Sequence, residues 1–197
     1  MKKLKLQVQI TVDGFVGGPN GEMDWMTWNW DDKLKDHVTK LTEPVDTILL
    51  GRKMSDGFIR HWAKVTEDVS SEDYWAGKKF TDTPKVVFTK TLDESQWPNT
   101  VLAKGDIVEE VETLKTRDGG DIIVYGGAGF VSSLIAHNLI DEYHLFVNPA
   151  AIGKGLSIFG GLGESLSLEQ TGVIPFECGI TLQQFAPARP SSATAAE

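Results

Sequence analysis

The sequence lacks three things, and each absence excludes a class of protein. It has one cysteine, Cys178, in 197 residues, so it has no partner for an internal disulfide and nothing points to an oxidising compartment. It has no run of Lys and Arg. Nineteen basic residues stand against twenty-eight acidic ones, a net charge of −9, and the basic face of a nucleic-acid binder is missing. It has no apolar stretch near the length of a membrane-spanning helix. Residues 1 to 10 alternate rather than forming an apolar block, which argues against a secretory leader. The expectation is a cytoplasmic protein with neither a nucleic-acid nor a membrane partner. Four histidines, His37, His61, His137 and His144, lie scattered without metal-ligand spacing, so no metal site is expected. No G-x-S-x-G nucleophile elbow occurs, and Cys178 reads as a small buried residue.

What is present is an ordinary globular composition, 41% hydrophobic and 24% charged, at a length that suits one domain. Leu4, Leu6, Val8 and Ile10 alternate with Lys5, Gln7 and Gln9, the period of a strand with one apolar face. Val12 to Trp25 reads as a long loop rich in glycine. Asp31 and Asp32 open a helix striped by Leu34, Val38 and Leu41, and Pro44 ends it. Thr47–Leu50 is a short buried strand, followed by a short helical segment from Lys53. Ser70 or Ser71 caps a helix running to about Phe80, and Lys85–Thr89 is a strand. Val108, Val111 and Leu114 stripe a further helix, which Gly119–Gly120 stops. Asp121–Tyr125 is a strand, Phe130–Asn138 a helix, Tyr143–Val147 a strand, and Ile180–Phe185 a closing strand. Strands alternating with helices predict an α/β sheet that is largely parallel. The domain is expected to span 1–186. The Ala, Pro, Ser, Thr and Glu of 187–197 have nothing to bury and are expected to be disordered.

Four segments carry candidate chemistry. Tyr125–Gly126–Gly127–Ala128–Gly129–Phe130–Val131 runs from a buried strand through glycines into a helix. Such a turn lets the backbone approach a phosphate, with the free helix-start amides pointing at it. The same pattern also serves a tight turn without ligand. A Rossmann site fits poorly: Ser132 stands at the third glycine, and Val147–Asn148–Pro149 lacks the ribose-binding acid. Gly51–Arg52–Lys53 repeats the strand-to-helix arrangement with two cations, and Thr89–Lys90 ends another strand. Taken singly, Arg52 and Lys90 read as solvated charges. Grouped at the carboxyl ends of parallel strands, the three segments can surround a phosphorylated ligand. The fourth is Thr11 to Trp25, with Asp13, Val16, Gly17, Asp24 and Trp25, a loop able to exclude water or simply to pack on the core.

In order, the segments TVDGFVG, LLGRKM, KVVFTKTL and VYGGAGFVSSLIAHNLIDEYHLFVNPAAIGKGLSIF resemble the dihydrofolate reductase superfamily. The resemblance is to its bacterial branch similar to the reductase domain of the riboflavin-biosynthesis deaminase–reductase, and it runs from about Leu4 to Phe185. It implies a dihydrofolate-reductase-like mixed, mainly parallel sheet of about eight strands flanked by helices, and NADPH as hydride donor. It places Gly51, Arg52, Lys53 and Tyr125 to Val131 around the pyrophosphate, with a cis peptide at Gly126–Gly127. Thr89 and Lys90 would meet the adenosine 2′-phosphate, and Thr11, Val16 and Gly17 the nicotinamide ribose and ring. A small heterocyclic substrate would sit against Gln7, Gln9, Asp24, Trp25 and Phe58. Gln7 and Gln9 depart from the superfamily, which shows small or apolar side chains there; a solvent-facing strand would explain them equally well. The catalytic carboxylate has no unambiguous match. Asp13, Asp31 and Asp32 are the candidates, with helix capping favoured for Asp31 and Asp32 and loop fixing for Asp13. The implied reaction is NADPH-dependent reduction of a C=N bond, in a pterin or folate first and in a ribosylamino-pyrimidine as alternative. A nucleotide-binding protein of the same fold without the reaction is a third reading. The riboflavin-type relatives imply a homodimer.

Overall fold

The alternation read at the N-terminus becomes the strand that organises the molecule. The computed structural model describes residues 1–188. Its elements are β1 (Leu4–Thr11), α1 (Asp32–Thr42), β2 (Val45–Gly51), α2 (Arg52–Val65), α3 (Tyr74–Asp82), β3 (Lys85–Phe88), β4 (Thr100–Ala103), α4 (Ile107–Thr116), β5 (Asp121–Val124), α5 (Ala128–Ala136), β6 (Glu142–Asn148), β7 (Leu168–Pro175) and β8 (Thr181–Pro187). All eight strands form one sheet in the order β4-β3-β2-β5-β1-β6-β8-β7. Strands β1 to β6 pair in parallel, and the β7–β8 hairpin adds antiparallel to β6. The sheet is thus mixed, mainly parallel and eight-stranded, in a single α/β domain, as expected.

The two faces of the sheet are covered differently. On one, Leu4, Leu6 and Ile10 of β1 and Ile122 and Val124 of β5 join Val111 and Leu114 of α4 and Val131, Leu134 and Ile135 of α5. Side chains so fully buried each stabilise the fold by roughly 1.5–3 kcal/mol. The other face carries two separate apolar clusters. One joins Ile48 and Leu50 of β2 and Ile123 of β5 to Ile59 of α2 and Phe80 of α3. The other joins Leu34 and Val38 of α1 to Phe146 of β6 and Leu182 of β8. Lys5, Gln7 and Gln9 of the central strand belong to neither cluster. A polar strip therefore runs along β1 between the two apolar clusters.

Several local expectations shift. The segment after Gly51 is a full helix of 14 residues. Helix α3 starts at Tyr74 after Asp73, not at Ser70 or Ser71. Strands β4 and β7 carry no clear sequence signal. Strand β4 is four residues long with Val101 exposed at the sheet edge, and β7 contains Gly172 at a register shift and ends in Pro175. Pro187 pairs with Leu168 within β8, and the Ala188 N–H donates to Ser167 O at 3.0 Å, so the domain passes 186. The rest of the expected tail lies outside the described residues. No helix among them is long and apolar enough to cross a membrane.

Candidate active site

Strands β2 and β5 run side by side up to Leu49↔Val124 and then turn into α2 and α5. Just past that point the Gly51 N–H donates to Gly126 O at 2.9 Å. Gly126 has φ +122°, a conformation suited to glycine, and the Gly126–Gly127 peptide is cis. Gly51 caps α2 and Gly127 caps α5, and neither helix start has a side-chain cap. A Cβ on Gly51 would stand 2.8 Å from Phe130 Cβ and 3.4 Å from Gly127 N, whereas one on Gly127 or Gly129 would meet nothing within 4 Å. Two helix starts thus lie side by side with bare backbone and open space before the second. Their first-turn amides, at Arg52, Lys53, Ala128 and Gly129, suit the pyrophosphate of a dinucleotide. Two expected members contribute differently. The Phe130 and Val131 N–H groups both donate to Gly127 O at 3.0 Å, and the Val131 side chain is core.

The flanking cations divide. Arg52 and Lys53 are exposed and form no ion pair among the described residues. Lys90 Nζ donates to Lys104 O at 2.7 Å and Gly105 O at 2.6 Å. Thr89 Oγ1 accepts from the Thr91 and Leu92 N–H groups at 3.1 and 3.2 Å. Thr89 and Lys90 therefore hold the β3 and β4 loops together, and Lys90 keeps one ammonium hydrogen for a ligand.

Beyond Leu6↔Val124, β1 runs on without β5, and its polar side chains flank the glycine turn. The Tyr125 hydroxyl donates to Gln7 Oε1 at 3.0 Å. Burial pushes the phenol well above its ordinary pKa, so it keeps its proton. The Tyr125 ring stacks on Phe58 at 5.3 Å, and Phe58 also meets Phe80 and Trp62 edge-on. Phe58 thus supports Tyr125. Gln9 Oε1 accepts from Asn148 Nδ2 at 2.7 Å. Asn148 is fully buried; its Nδ2 also reaches Phe146 O at 3.1 Å, and its Oδ1 accepts from Thr27 N–H at 2.9 Å. Gln7 and Gln9 thus do not face solvent on a bare strand: they head a network that ties β1 to β6 and to the loop before α1. Trp25 is half-buried, with its Nε1 donating to Glu22 O at 3.2 Å, while Asp24 is exposed.

The loop leaving β1 is closely tied. The Phe15 N–H donates to Thr11 Oγ1 at 2.9 Å, and Val16 and Gly17 pair with Leu156. Asp13 accepts from the Ile152 N–H at 3.1 Å and the Gly153 N–H at 2.7 Å. These bonds, with Thr11 first, hold its carboxyl below the usual range. Asp31 caps α1 through the Leu34 N–H at 2.9 Å and accepts from the Cys178 N–H at 3.1 Å, again lowering its pKa. Asp32 is exposed in the first turn of α1. The contacts match the capping favoured for Asp31 and the loop fixing favoured for Asp13. Asp13 and Asp31 fix a loop and a helix end, both are held ionised, and none of the three joins the Gln7–Gln9 network.

Asn148 and Thr27 are site residues that sequence reasoning missed. The available signal was an Asn at the end of an apolar strand, just before Pro149. His37 sits on the same face, packed edge-on against Phe146 and Phe176, with Nε2 buried and unpartnered and its pKa lowered by burial. No group of three potential metal ligands occurs among the described residues. A concavity of about 880 Å³ lies at the opposite ends of the strands, by Lys2, Asp46, Tyr74, Trp75 and Arg117. It is an open surface groove at the start of α3, away from the two glycine-capped helix starts.

A mainly parallel eight-stranded sheet, two adjoining glycine-capped helix starts and a row of polar side chains beside them define a dihydrofolate-reductase-like α/β protein. More particularly, the chain belongs to the RibD C-terminal domain family, a reductase-like family whose model matches residues 2–182. It is 30% identical over 179 residues to the uncharacterized Bacillus subtilis (strain 168) protein YyaP, covering 91% of this chain and 92% of that one. It superposes on a Thermotoga maritima diaminohydroxyphosphoribosylaminopyrimidine deaminase/5-amino-6-(5-phosphoribosylamino)uracil reductase with TM-score 0.66 and 22% identity, covering 95% of this chain and 57% of that one. It superposes on Enterococcus faecalis dihydrofolate reductase, solved with NADP(H), with TM-score 0.59 and 16% identity, covering 95% and 97%. The two superpositions show the fold.

Proposed function

We propose that this protein is an oxidoreductase that uses NADPH to reduce a C=N bond in a small heterocyclic substrate. The observation that carries the reading is the adjacency of the glycine-capped helix starts at Gly51 and Gly127 to a row of side-chain amides on β1. Bare first-turn amides bind phosphate oxygens, and Arg52 and Lys53 favour the additional phosphate that distinguishes NADPH from NADH. The dinucleotide, when bound, supplies the hydride. The chain's own residues hold and orient the substrate, and the Thr11–Gly17 turn, stapled by Asp13, forms the rim beside Gln9.

One observation favours the pyrimidine over the pterin. Gln9 has its oxygen occupied by Asn148, which leaves its NH2 group to meet a ring carbonyl. Asp13 and Asp31 are spent on backbone amides, so neither supports protonation of a pterin. The test is a spectrophotometric NADPH-oxidation screen with the open-chain ribosylamino-pyrimidine beside dihydrofolate, paired with thermal melts. NADPH is expected to raise the melting temperature, and the pyrimidine to be turned over faster. Stabilisation by NADPH without turnover of either substrate would leave a nucleotide-binding protein. Absence of any NADPH stabilisation would refute the reading.

A further inference from the structure

We propose that Asn148 is a positioning residue that sets the hydrogen-bond polarity of the substrate cleft. By holding the oxygen of Gln9 it commits Gln9 to present donors, so the cleft selects a ring edge bearing carbonyl acceptors. The inference rests on the reductase reading in one respect: a heterocycle must bind against the polar side chains of β1.

The two ends of a terminal amide are alike in shape, so only their partners decide which end points where. Those partners are unambiguous for Asn148. The Thr27 N–H can only donate, and it stands 2.9 Å from Oδ1. The Phe146 carbonyl can only accept, and it stands 3.1 Å from Nδ2. Asn148 is fully buried, so turning it over would set two mismatched pairs in the interior. Its second Nδ2 hydrogen therefore points at Gln9, 2.7 Å away, and Gln9 must offer its oxygen there. Gln9 is half-buried, and its side chain's bond is the one its oxygen accepts from Asn148, with none from Nε2 among the described residues. A backbone N–H in the loop before α1 thus fixes, through two amides, what the cleft shows to a ligand. Gln7 is held by the Tyr125 hydroxyl, which can both donate and accept and so does not fix the sense of the Gln7 amide.

The test compares 5,6-diaminouracil with 2,4,5,6-tetraaminopyrimidine, which share a shape but exchange ring carbonyls for amino groups. Binding is measured by calorimetry on the whole chain with NADPH present. The wild type is expected to favour the dione by about tenfold, the usual weight of one matched neutral hydrogen bond. In Asn148→Asp the carboxylate still accepts from Thr27 but cannot donate to Gln9, so Gln9 turns over and offers its oxygen. That change also sets an oxygen against Phe146 O in a buried place, so Gln9→Glu makes the same inversion at a half-buried residue. Both variants are expected to reverse the preference, and NADPH is expected to stabilise both as it does the wild type. If Gln9→Glu binds the dione with an unchanged ratio, the inference is overturned and the reductase reading stands. A wild type that prefers the tetraamine also overturns the inference alone. Binding of neither ring by the wild type overturns both.

Discussion

The two walls of the cleft are built by different means. The proposed cofactor wall is backbone: Gly51, Gly126, Gly127 and Gly129 leave amides uncovered at two helix starts, with no side chains over them. The proposed substrate wall is side chain: Gln7 is held by Tyr125, and Gln9 by Asn148 in a fixed orientation. A wall of bare backbone can accept any ligand that carries phosphate. A wall of oriented amides can tell a carbonyl from an amino group, because a mismatched buried donor or acceptor is costly. The first kind of wall tolerates exposed changes around it but no added Cβ at Gly51 or Gly126. The second tolerates changes in size better than changes in hydrogen-bond sense.

The largest expected effect tests the backbone wall. Gly51→Val puts a branched side chain where even a Cβ falls 2.8 Å from Phe130 Cβ. Overpacking of this kind costs about 1–3 kcal/mol of stability. NADPH affinity is expected to fall by more than about a hundredfold, since the two helix starts can no longer adjoin. Retained stabilisation by NADPH in that variant would break the contrast between the walls. A smaller effect separates the cations. Arg52→Ala is expected to lower the preference for NADPH over NADH by about tenfold, the weight of one charge-assisted contact. Lys90→Ala should change it much less, because Lys90 already serves Lys104 O and Gly105 O. Steady-state titration with both nucleotides decides, and a larger effect at Lys90 would reverse the assignment. The smallest effect tests the substrate wall. Tyr125→Phe keeps the ring stacked on Phe58 but frees Gln7 Oε1, at a cost of about 1 kcal/mol. KM for the heterocycle is expected to rise a few-fold with the NADPH affinity unchanged, and a change in NADPH affinity instead would place Tyr125 in the other wall.

Legibility in the sequence followed the same division. The glycine turns at Gly51 and Gly126–Gly127 were visible because glycine at a strand-to-helix junction has few other uses. The central strands β1, β2, β5 and β6 were visible because burial on the sheet leaves a periodic or continuous apolar record. Strands β4 and β7 were not, because edge strands pair on one side and need little apolar surface. The carboxylates were ambiguous because Asp at a helix start or in a turn looks the same whether it caps or catalyses. Only the bonds from Asp13 to Gly153 and from Asp31 to Leu34 and Cys178 distinguish the two. Gln7 and Gln9 were noticed as departures, but their direction was open. Asn148 was noticed only as the residue that spoiled a Rossmann pattern.

The sequence by itself determined the sheet's central strands, the helices that flank them and the two glycine junctions. Each of these depends on local sterics and on a periodic burial pattern that a single stretch of chain carries. Only the tertiary structure decided which way the Gln7 and Gln9 amides face and which carboxylates are free. Those depend on partners far along the chain, such as Tyr125 for Gln7 and Asn148 for Gln9. A hydrogen bond's sense is fixed by both of its ends, and the fold alone brings the ends together.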